Sequence, residues 1–206
     1  MSSSGKSEPV RPRGRPRSFN CDLALAQALQ VFWRKGYAGA SLSDLTKAMG
    51  VNRPSLYAAY GDKESLFRKA LDLYMRDQQF HIQKALDQPN ARAVAEALLV
   101  TAADSMCGGA RHPAGCLLVQ GGLAAGEEDE SIRRELITRR RANEFLIRRR
   151  MRRAKQEGDL PARSDPDALA RYLATVSQGM AVQAASGVTR EQLRQVAETA
   201  LQAWPS

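Results

Sequence analysis

Three side chains between residues 107 and 116 have the types that metal and thiol chemistry require. Cys107, His112 and Cys116 lie within ten residues of one another, and thiolates and imidazoles are common zinc ligands. Their spacing, Cys-x4-His-x3-Cys, matches no standard zinc pattern and lacks a fourth ligand, so we expect no metal. Cys116 follows Gly115 near the N-terminus of an expected helix, whose dipole favours a thiolate. A reactive thiol at Cys116 is therefore an alternative to simple packing of a small apolar side chain.

The same cysteine and histidine also suggest nucleophilic catalysis, with Cys116 as the nucleophile and His112 as the base. No third orienting residue, oxyanion loop or cofactor fingerprint accompanies this pair. No Gly-rich phosphate loop follows a strand either. We therefore expect no catalytic residue, no cofactor and no enzymatic activity.

Basic side chains are concentrated in the first third of the chain. Residues 1–61 contain nine basic and three acidic side chains, which leaves +6 of the total net charge of +9. This asymmetry is typical of an N-terminal module that binds a polyanion, with double-stranded DNA as the first candidate. A membrane surface would require an amphipathic helix with large apolar groups opposite its basic face, and the Arg/Pro-rich stretch has none. No apolar run approaches the roughly 18 residues of a membrane span.

The compartment can be inferred from the cysteines and the N-terminus. Three cysteines cannot all pair and are too few for a disulfide framework. The Ser-rich first residues contain no apolar segment of the kind found in secretory signals. We therefore expect a cytoplasmic protein with free thiols.

Apolar residues recur mainly at helical spacing. In the first such stretch Leu25, Ala28, Leu29 and Phe32 fall at i, i+3, i+4 and i+7 after a capping Asn20. Val, Ile and Thr are sparse and no run alternates with period two, so we predict an all-α fold of about nine helices. Predicted helices cover about residues 21–35, 43–49, 53–59, 90–106, 115–125, 128–156, 165–186 and 190–203, with a long one from Asp62 towards Pro89.

The second and third predicted helices are short and are joined by a turn that contains Gly50. Ser41 or Ser43 can cap the second helix, and Asn52 can cap the third, which has Pro54 in its first turn. Two short helices after a longer one form the helix-turn-helix pattern, whose last helix enters the major groove of DNA. An ordinary helical bundle is the alternative, which the basic N-terminus disfavours. The expected core residues are Leu25, Leu29, Phe32, Leu45, Met49, Val51, Leu56 and Tyr60.

Residues 36–67 resemble the TetR family of bacterial transcriptional regulators. The matching segments are Gly36-Tyr37, Ser41-Leu42-Ser43-Asp44-Leu45, Gly50-Val51-Asn52, Ser55-Leu56-Tyr57 and Tyr60-Gly61-Asp62-Lys63-Glu64-Ser65-Leu66-Phe67. The resemblance implies a helix-turn-helix domain at 19–65, after a basic arm at 1–18, and a helical ligand-binding and dimerisation domain at 66–206. It also implies a homodimer on a palindromic operator in the bacterial nucleoid, usually a repressor that a small molecule releases.

The same resemblance assigns DNA contacts to particular residues. It implies contacts with base edges for Arg53, Pro54 and Ser55. It implies contacts with phosphates for Ser43, Tyr57 and Lys63. The chemistry agrees, because Arg is suited to bidentate guanine recognition, whereas Tyr and Lys can hold a phosphate without reading sequence. Tyr60 is expected to point into the core instead.

The segment Pro12-Arg13-Gly14-Arg15-Pro16 resembles the core of an AT-hook. Gly leaves room, Pro keeps the backbone extended, and Arg13 and Arg15 can lie in the narrow minor groove of A/T tracts. A solvated basic tail is the alternative.

The remaining expectations concern the helical body. By resemblance an effector cavity lies among helices 4 to 8, and the last two helices form the dimer interface. The segment 133–153 contains ten arginines, which we interpret as a solvated helix face; the alternative is that one or two of them bind an acidic effector. The candidate pocket residues are Phe67, Leu71, Tyr74, Met75, Met106, Cys116, Leu117, Gln120, Phe145 and Met180.

Three competing functions stay open at this point. The first is an architectural protein that bends A/T-rich DNA with little sequence choice, using the basic arm. The second is a regulator that responds to oxidants or electrophiles through Cys116. The third is a small-molecule-binding module without any DNA function.

Overall fold

The computed structural model describes residues 20–109, 112–124 and 129–205, with the backbone alone at residues 123 and 124. Within these ranges there is no strand, which confirms the predicted all-α fold. No helix in them is long and apolar enough to cross a membrane. The described helices are α1 (Cys21–Gly39), α2 (Leu42–Met49), α3 (Arg53–Tyr60), α4 (Lys63–Leu86), α5 (Ala91–Met106), α6 (Leu117–Ala124), α7 (Glu130–Gln156), α8 (Pro166–Ala185) and α9 (Arg190–Gln202).

Side-chain caps explain why the helices begin where they do. Asn20, Asn52 and Asp62 each accept a hydrogen bond from the backbone N–H three residues later, which satisfies one of the free donors of a helix start. Ser41 forms a complete capping box with Asp44, so Ser41 rather than Ser43 caps α2. These short-range bonds are readable from sequence, and the predicted starts are accordingly within about two residues of those observed.

The first helix departs from regular geometry near its end. Gly36 has φ 70° and ψ 176°, a conformation outside the helical region that favours glycine. The continuous helix therefore ends before Gly36, as the sequence predicts, and the residues from Gly36 to Gly39 form a separate short turn.

Two hydrophobic clusters form the core, and α4 belongs to both. The first cluster joins α1, α2 and α3, which we call the head, to the N-terminal half of α4, to α6 and to the start of α7. The second cluster contains the end of α4 with α5, α8, α9 and the C-terminal half of α7. We call α4 to α9 the body. Helix α4 is therefore packed against the head by its N-terminal half and against the rest of the body by its C-terminal half.

The expected head core is confirmed. Six of its eight residues are buried, and Leu25 and Val51 pack against the cluster while partly exposed. Tyr60 points inward as predicted, and its hydroxyl donates a 2.8 Å hydrogen bond to the Cys21 carbonyl.

The arginine-rich helix α7 is solvated only in part. Most of its arginines are exposed, but Arg150 is buried. Its guanidinium donates to the carbonyl oxygens of Leu86, at 3.1 Å, and Gln88, at 3.0 Å. These carbonyls lie at and just after the C-terminus of α4, where the helix dipole favours a cation. Arg150 therefore anchors the end of α4 to α7.

Candidate functional site

The first turn of α3 projects three side chains into solvent. Arg53, Pro54 and Ser55 are all exposed there, while Leu56 and Tyr60 of the same helix are buried in the head. The Asn52 side chain accepts the Ser55 N–H at 2.9 Å and holds this turn in helical geometry. The structure thus brings the three candidate base contacts together on a surface whose opposite side is fixed by the core.

Helix α2 is held against α1 by a charged contact. The Asp44 carboxylate lies 2.7 Å from Lys35 Nζ of α1 and accepts a 2.7 Å hydrogen bond from the Ser41 hydroxyl. Lys35, and then Ser41, lower the pKa of Asp44 to about 2. Because the pKa is lowered, this contact contributes fully above the usual pKa of an aspartate and is lost only as the pH falls towards 2. The charged contact between α1 and α2, the helix that carries the exposed Ser43, therefore persists near neutral pH.

Tyr57 and Lys63 lie near the ends of neighbouring helices. Tyr57 is 44% exposed, one turn after Arg53. Lys63 is the first residue of α4, and its Nζ lies 4.5 Å from the ring centroid of Tyr37. Burial lowers the pKa of Lys63. A cation in the first turn of a helix opposes the helix dipole, so a phosphate at this position would offset an unfavourable interaction.

We expect Lys63→Ala to weaken binding to all DNA sequences by the same factor. A homodimer loses one phosphate contact in each half-site, so the slope of log K against log salt becomes shallower by about 1.8 and affinity falls roughly 60-fold at 0.1 M salt. Titrations of a specific and a random duplex at several salt concentrations test this. Lys84→Ala, an exposed lysine in the last turn of α4, is the matched control. A loss confined to the specific duplex would contradict the assignment.

The minor-groove candidates Arg13 and Arg15 lie outside the described residues. Their role stays a prediction from the sequence.

A cavity of about 120 Å³ lies in the body between α4, α5, α7, α8 and the start of α6. Its lining combines apolar side chains with polar side chains from four helices. The lining residues are Gln78, His81, Ile82, Leu98, Thr101, Ala102, Ser105, Met106, Cys116, Leu118, Val119, Arg140, Asn143, Glu144, Ile147, Ala174, Ser177 and Gln178.

Two of the ten candidate pocket residues, Met106 and Cys116, line this cavity. Phe145 is 55% exposed and lies along a shallower groove on α7. Gln120 is half-buried, beside Gly115. The others are buried in the core and do not line the cavity; they are Phe67, Leu71, Tyr74, Met75, Leu117 and Met180.

The predicted pocket residues of α4 lie before the part of that helix that lines the cavity. The apolar stripe from Phe67 to Met75 packs in the first cluster, and the cavity begins only at Gln78, one turn later. Sequence reasoning selected apolar residues and so missed most of the polar lining. Asn143 carried a usable signal, because it interrupts the otherwise apolar inward stripe of α7 between Leu136 and Ile147.

Cys107, His112 and Cys116 do not converge on one point. The Cys107 thiol donates to the Ala103 carbonyl at 3.2 Å, and the His112 ring stacks on Trp33 with centroids 5.6 Å apart. Cys116 is buried and accepts a 3.1 Å hydrogen bond from the Tyr74 hydroxyl. Among the residues described, no group of three or more His, Cys, Asp or Glu is placed to hold a metal ion.

Tyr74 connects the cavity thiol with the head. Burial, and then the neighbouring Cys116, raise the pKa of Tyr74 well above its usual value, so its hydroxyl stays a hydrogen-bond donor. Its ring meets Trp33 of α1 edge to face, with centroids 4.8 Å apart. Cys116 is therefore connected to α1 of the head through two side-chain contacts, from Cys116 to Tyr74 and from Tyr74 to Trp33.

Comparison with known families gives two matches along the chain. Residues 24–70 match the N-terminal family model described as "Bacterial regulatory proteins, tetR family". Residues 89–200 match the model described as "Tetracyclin repressor-like, C-terminal domain".

Individual relatives match over most of their length. The transcriptional repressor ComR of Escherichia coli is 32% identical over 203 residues, which are 95% of this chain and 93% of that protein. The transcriptional repressor BdcR of the same organism is 29% identical over 188 residues, 89% of this chain and 88% of that one. A cysteine-substituted CifR, solved in complex with a 26-bp double-strand operator DNA, is 44% identical with a TM-score of 0.87, covering 93% of this chain and all of that one.

Proposed function

The chain belongs to the TetR family of bacterial regulatory proteins, and on that premise we propose that it is a transcriptional repressor that a small molecule releases from a palindromic operator. The observation that carries the proposal is the exposed first turn of α3. Arg53 stands there on a capped helix with its guanidinium free of any ion pair to a described residue. Arg in this position can form a bidentate pair with a guanine edge in the major groove.

A homodimer supplies the second recognition helix. Proteins of this kind place their recognition helices in half-sites about one helical turn apart, roughly 34–36 Å. Exposed apolar side chains on α8 and α9, such as Val182 and Val196, offer surface for a two-fold interface of four helices.

Release by a ligand requires two arrangements of the heads. Helix α4 lines the cavity through Gln78 and His81 and carries Lys63 at its other end. A ligand that fits better when α4 is shifted favours the arrangement in which the heads are out of register with the operator. Equal affinity for the two arrangements would shift nothing, however tight the binding.

Several finer assignments belong to the same proposal. The relatives are transcriptional regulators rather than enzymes, and we assign this chain no catalysis and no cofactor. Its place of action is the nucleoid in the cytoplasm, where the operator is. The division into an arm at 1–18, a DNA-binding domain at 19–65 and an effector domain at 66–206 is supported by the start of α4 at Lys63. Arg13 and Arg15 are assigned to the minor groove beside the operator.

The test is a binding titration on the DNA upstream of the chain's own gene against random DNA of equal length, at two salt concentrations. A specificity ratio of about 10³ or more supports an operator-reading regulator. A ratio near one with a steep salt slope would contradict the proposal and favour the architectural alternative.

A thiol-responsive regulator is the second candidate, favoured by the position of Cys116. Its sulfur lines the cavity although only 8% of the residue is exposed. An electrophile held in the cavity would meet this sulfur, and a substituent on it would displace the Tyr74 hydroxyl that contacts it. Trp33 and the head would then be affected through Tyr74.

We expect N-ethylmaleimide to release DNA from the unmodified chain and from Cys21→Ser, but not from Cys116→Ser, if this second candidate is correct. Cys21 is the matched control because it is exposed on the head and far from the cavity lining. Mass spectrometry identifies the alkylated residue, and a fluorescence anisotropy assay follows the DNA. Release that survives Cys116→Ser would eliminate this candidate.

A further inference from the structure

The arginines of α7 differ in how their charge is satisfied. Four of them are withdrawn from solvent at least in part, namely Arg139, Arg140, Arg148 and Arg150. Arg139 binds Asp72 at 2.7 Å and Glu135 at 3.0 Å, Arg148 binds Glu144 at 2.9 Å, and Arg150 binds two carbonyls. Arg140 makes no ion pair and no side-chain hydrogen bond within the described part of the chain. It is also the only arginine among the described residues that lines the cavity.

The position of Arg140 follows from a close approach of two helices. A Cβ atom at Gly122 of α6 would lie 3.6 Å from Arg140 Nη2 and 3.7 Å from its Cζ. The guanidinium therefore lies against a stretch of α6 without a side chain. This contact keeps the charge beside the cavity.

The nearest acid along the helix is already engaged. Glu144 lies one turn after Arg140 and lines the same cavity. Its Oε1 accepts from Arg148 at 2.9 Å and lies 3.9 Å from Arg171. Two cations thus share the Glu144 charge, and Arg140 has no part in it.

Five further polar side chains of the cavity also lack a side-chain hydrogen bond. Gln78, Thr101, Asn143, Ser177 and Gln178 all line it, and none of them makes a side-chain hydrogen bond to another described residue. Apolar groups such as Ile82, Leu98 and Val119 line the same cavity. These polar side chains are half-buried, so their donors and acceptors are available to a ligand, and the mixed lining suits a ligand that has both polar and apolar parts.

We propose that the cavity binds a small organic monoanion, a carboxylate on a short apolar chain, and that Arg140 selects its negative charge. The planar fork of a guanidinium matches a carboxylate with two parallel hydrogen bonds, and the free amides and hydroxyls satisfy its remaining lone pairs. This inference rests on the proposed function in taking the cavity as the effector site, but the binding itself requires no DNA.

The test compares a charged and a neutral probe of the same length on the full chain without DNA. Isothermal titration calorimetry with octanoate and octanamide is carried out on the unmodified chain, Arg140→Gln and Arg149→Gln. Arg149 is the matched control because it lies on the same helix, is exposed and does not line the cavity. The unmodified chain and Arg149→Gln should bind octanoate at least tenfold more tightly than octanamide. Arg140→Gln should lose that preference while keeping its affinity for octanamide, which also shows that the cavity is intact.

Three outcomes would overturn the inference. They are equal affinities of the unmodified chain for the two probes, a preference that survives Arg140→Gln, and no detectable binding of octanoate. Arg140→Lys keeps the charge without the planar fork and should retain only part of the preference.

A parallel operator titration separates this inference from the proposed function. If octanoate binds through Arg140 but does not release operator DNA, the anion site stands and its regulatory role fails. If the chain reads its operator with high specificity but binds no octanoate, the inference about the ligand fails and the repressor stands.

Discussion

Replacing Arg53 with alanine is expected to abolish most of the preference of this protein for its operator. A bidentate pair between arginine and guanine contributes about 1–3 kcal/mol of discrimination against the wrong base, and a homodimer uses it in both half-sites. The ratio of operator to random-DNA affinity should therefore fall by about 10²-fold or more, as the two losses add. Affinity for random DNA should fall only slightly, since the phosphate contacts stay in place.

Arg53 can be replaced without disturbing the core of the head. Its side chain is exposed and takes no part in the core of the head, so its removal should leave the melting temperature unchanged. Arg76→Ala on the exposed side of α4 is the matched control and should leave the ratio unaltered. Equal losses on operator and random DNA for Arg53→Ala would refute the division between residues that read bases and residues that hold phosphates.

Phe32→Ala is expected to have the largest effect on stability. Phe32 is fully buried where the head packs on α4. Its ring meets Phe67 edge to face, with centroids 5.0 Å apart, and stacks on Tyr37 at 6.3 Å. Truncation of a buried phenylalanine costs about 3–5 kcal/mol, a large fraction of the 5–15 kcal/mol that typically stabilises a domain. Urea denaturation followed by circular dichroism measures the loss.

Phe80→Ala provides the same chemical change without the burial. Phe80 is on α4 as well, but it is 67% exposed, and surface substitutions of this kind usually stay within about 0.5 kcal/mol. DNA binding should follow stability, so Phe32→Ala loses affinity for operator and random DNA together. A Phe32→Ala variant as stable as Phe80→Ala would show that the head does not depend on this contact with α4.

The parts of the fold that sequence reasoning predicted correctly are those specified by neighbours along the chain. Asn20, Asn52 and Asp62 each bond to an amide three residues away, so the start of a helix can be read from a few letters. The inward side of α3 is equally local, because Leu56 and Tyr60 are one turn apart. Arg53 and Ser55 are left outward by the same geometry.

The cavity depends instead on contacts between residues far apart in sequence. Thr101 of α5, Asn143 of α7 and Ser177 of α8 line it together although 76 residues separate the first from the last. Which of the partly or fully buried arginines of α7 lacks a partner is also a non-local property. Arg139 finds Asp72 on α4 at 2.7 Å, whereas Arg140, the next residue, is turned towards Gly122 of α6. The apolar stripe of α7 sets the rotation of the helix, but it does not specify which groups of α4 and α6 face Arg139 and Arg140.

The contact of Trp33 with both Tyr74 and His112 gives the molecule its own optical probe. The chain has two tryptophans, and the other one, Trp204, is buried in the second cluster at the far end of the body. In a Trp204→Phe background the remaining indole emission originates at the junction of head and body. Its wavelength and intensity then report the environment of that junction directly. A stopped-flow instrument can then follow, without an added label, how fast ligand binding changes that environment.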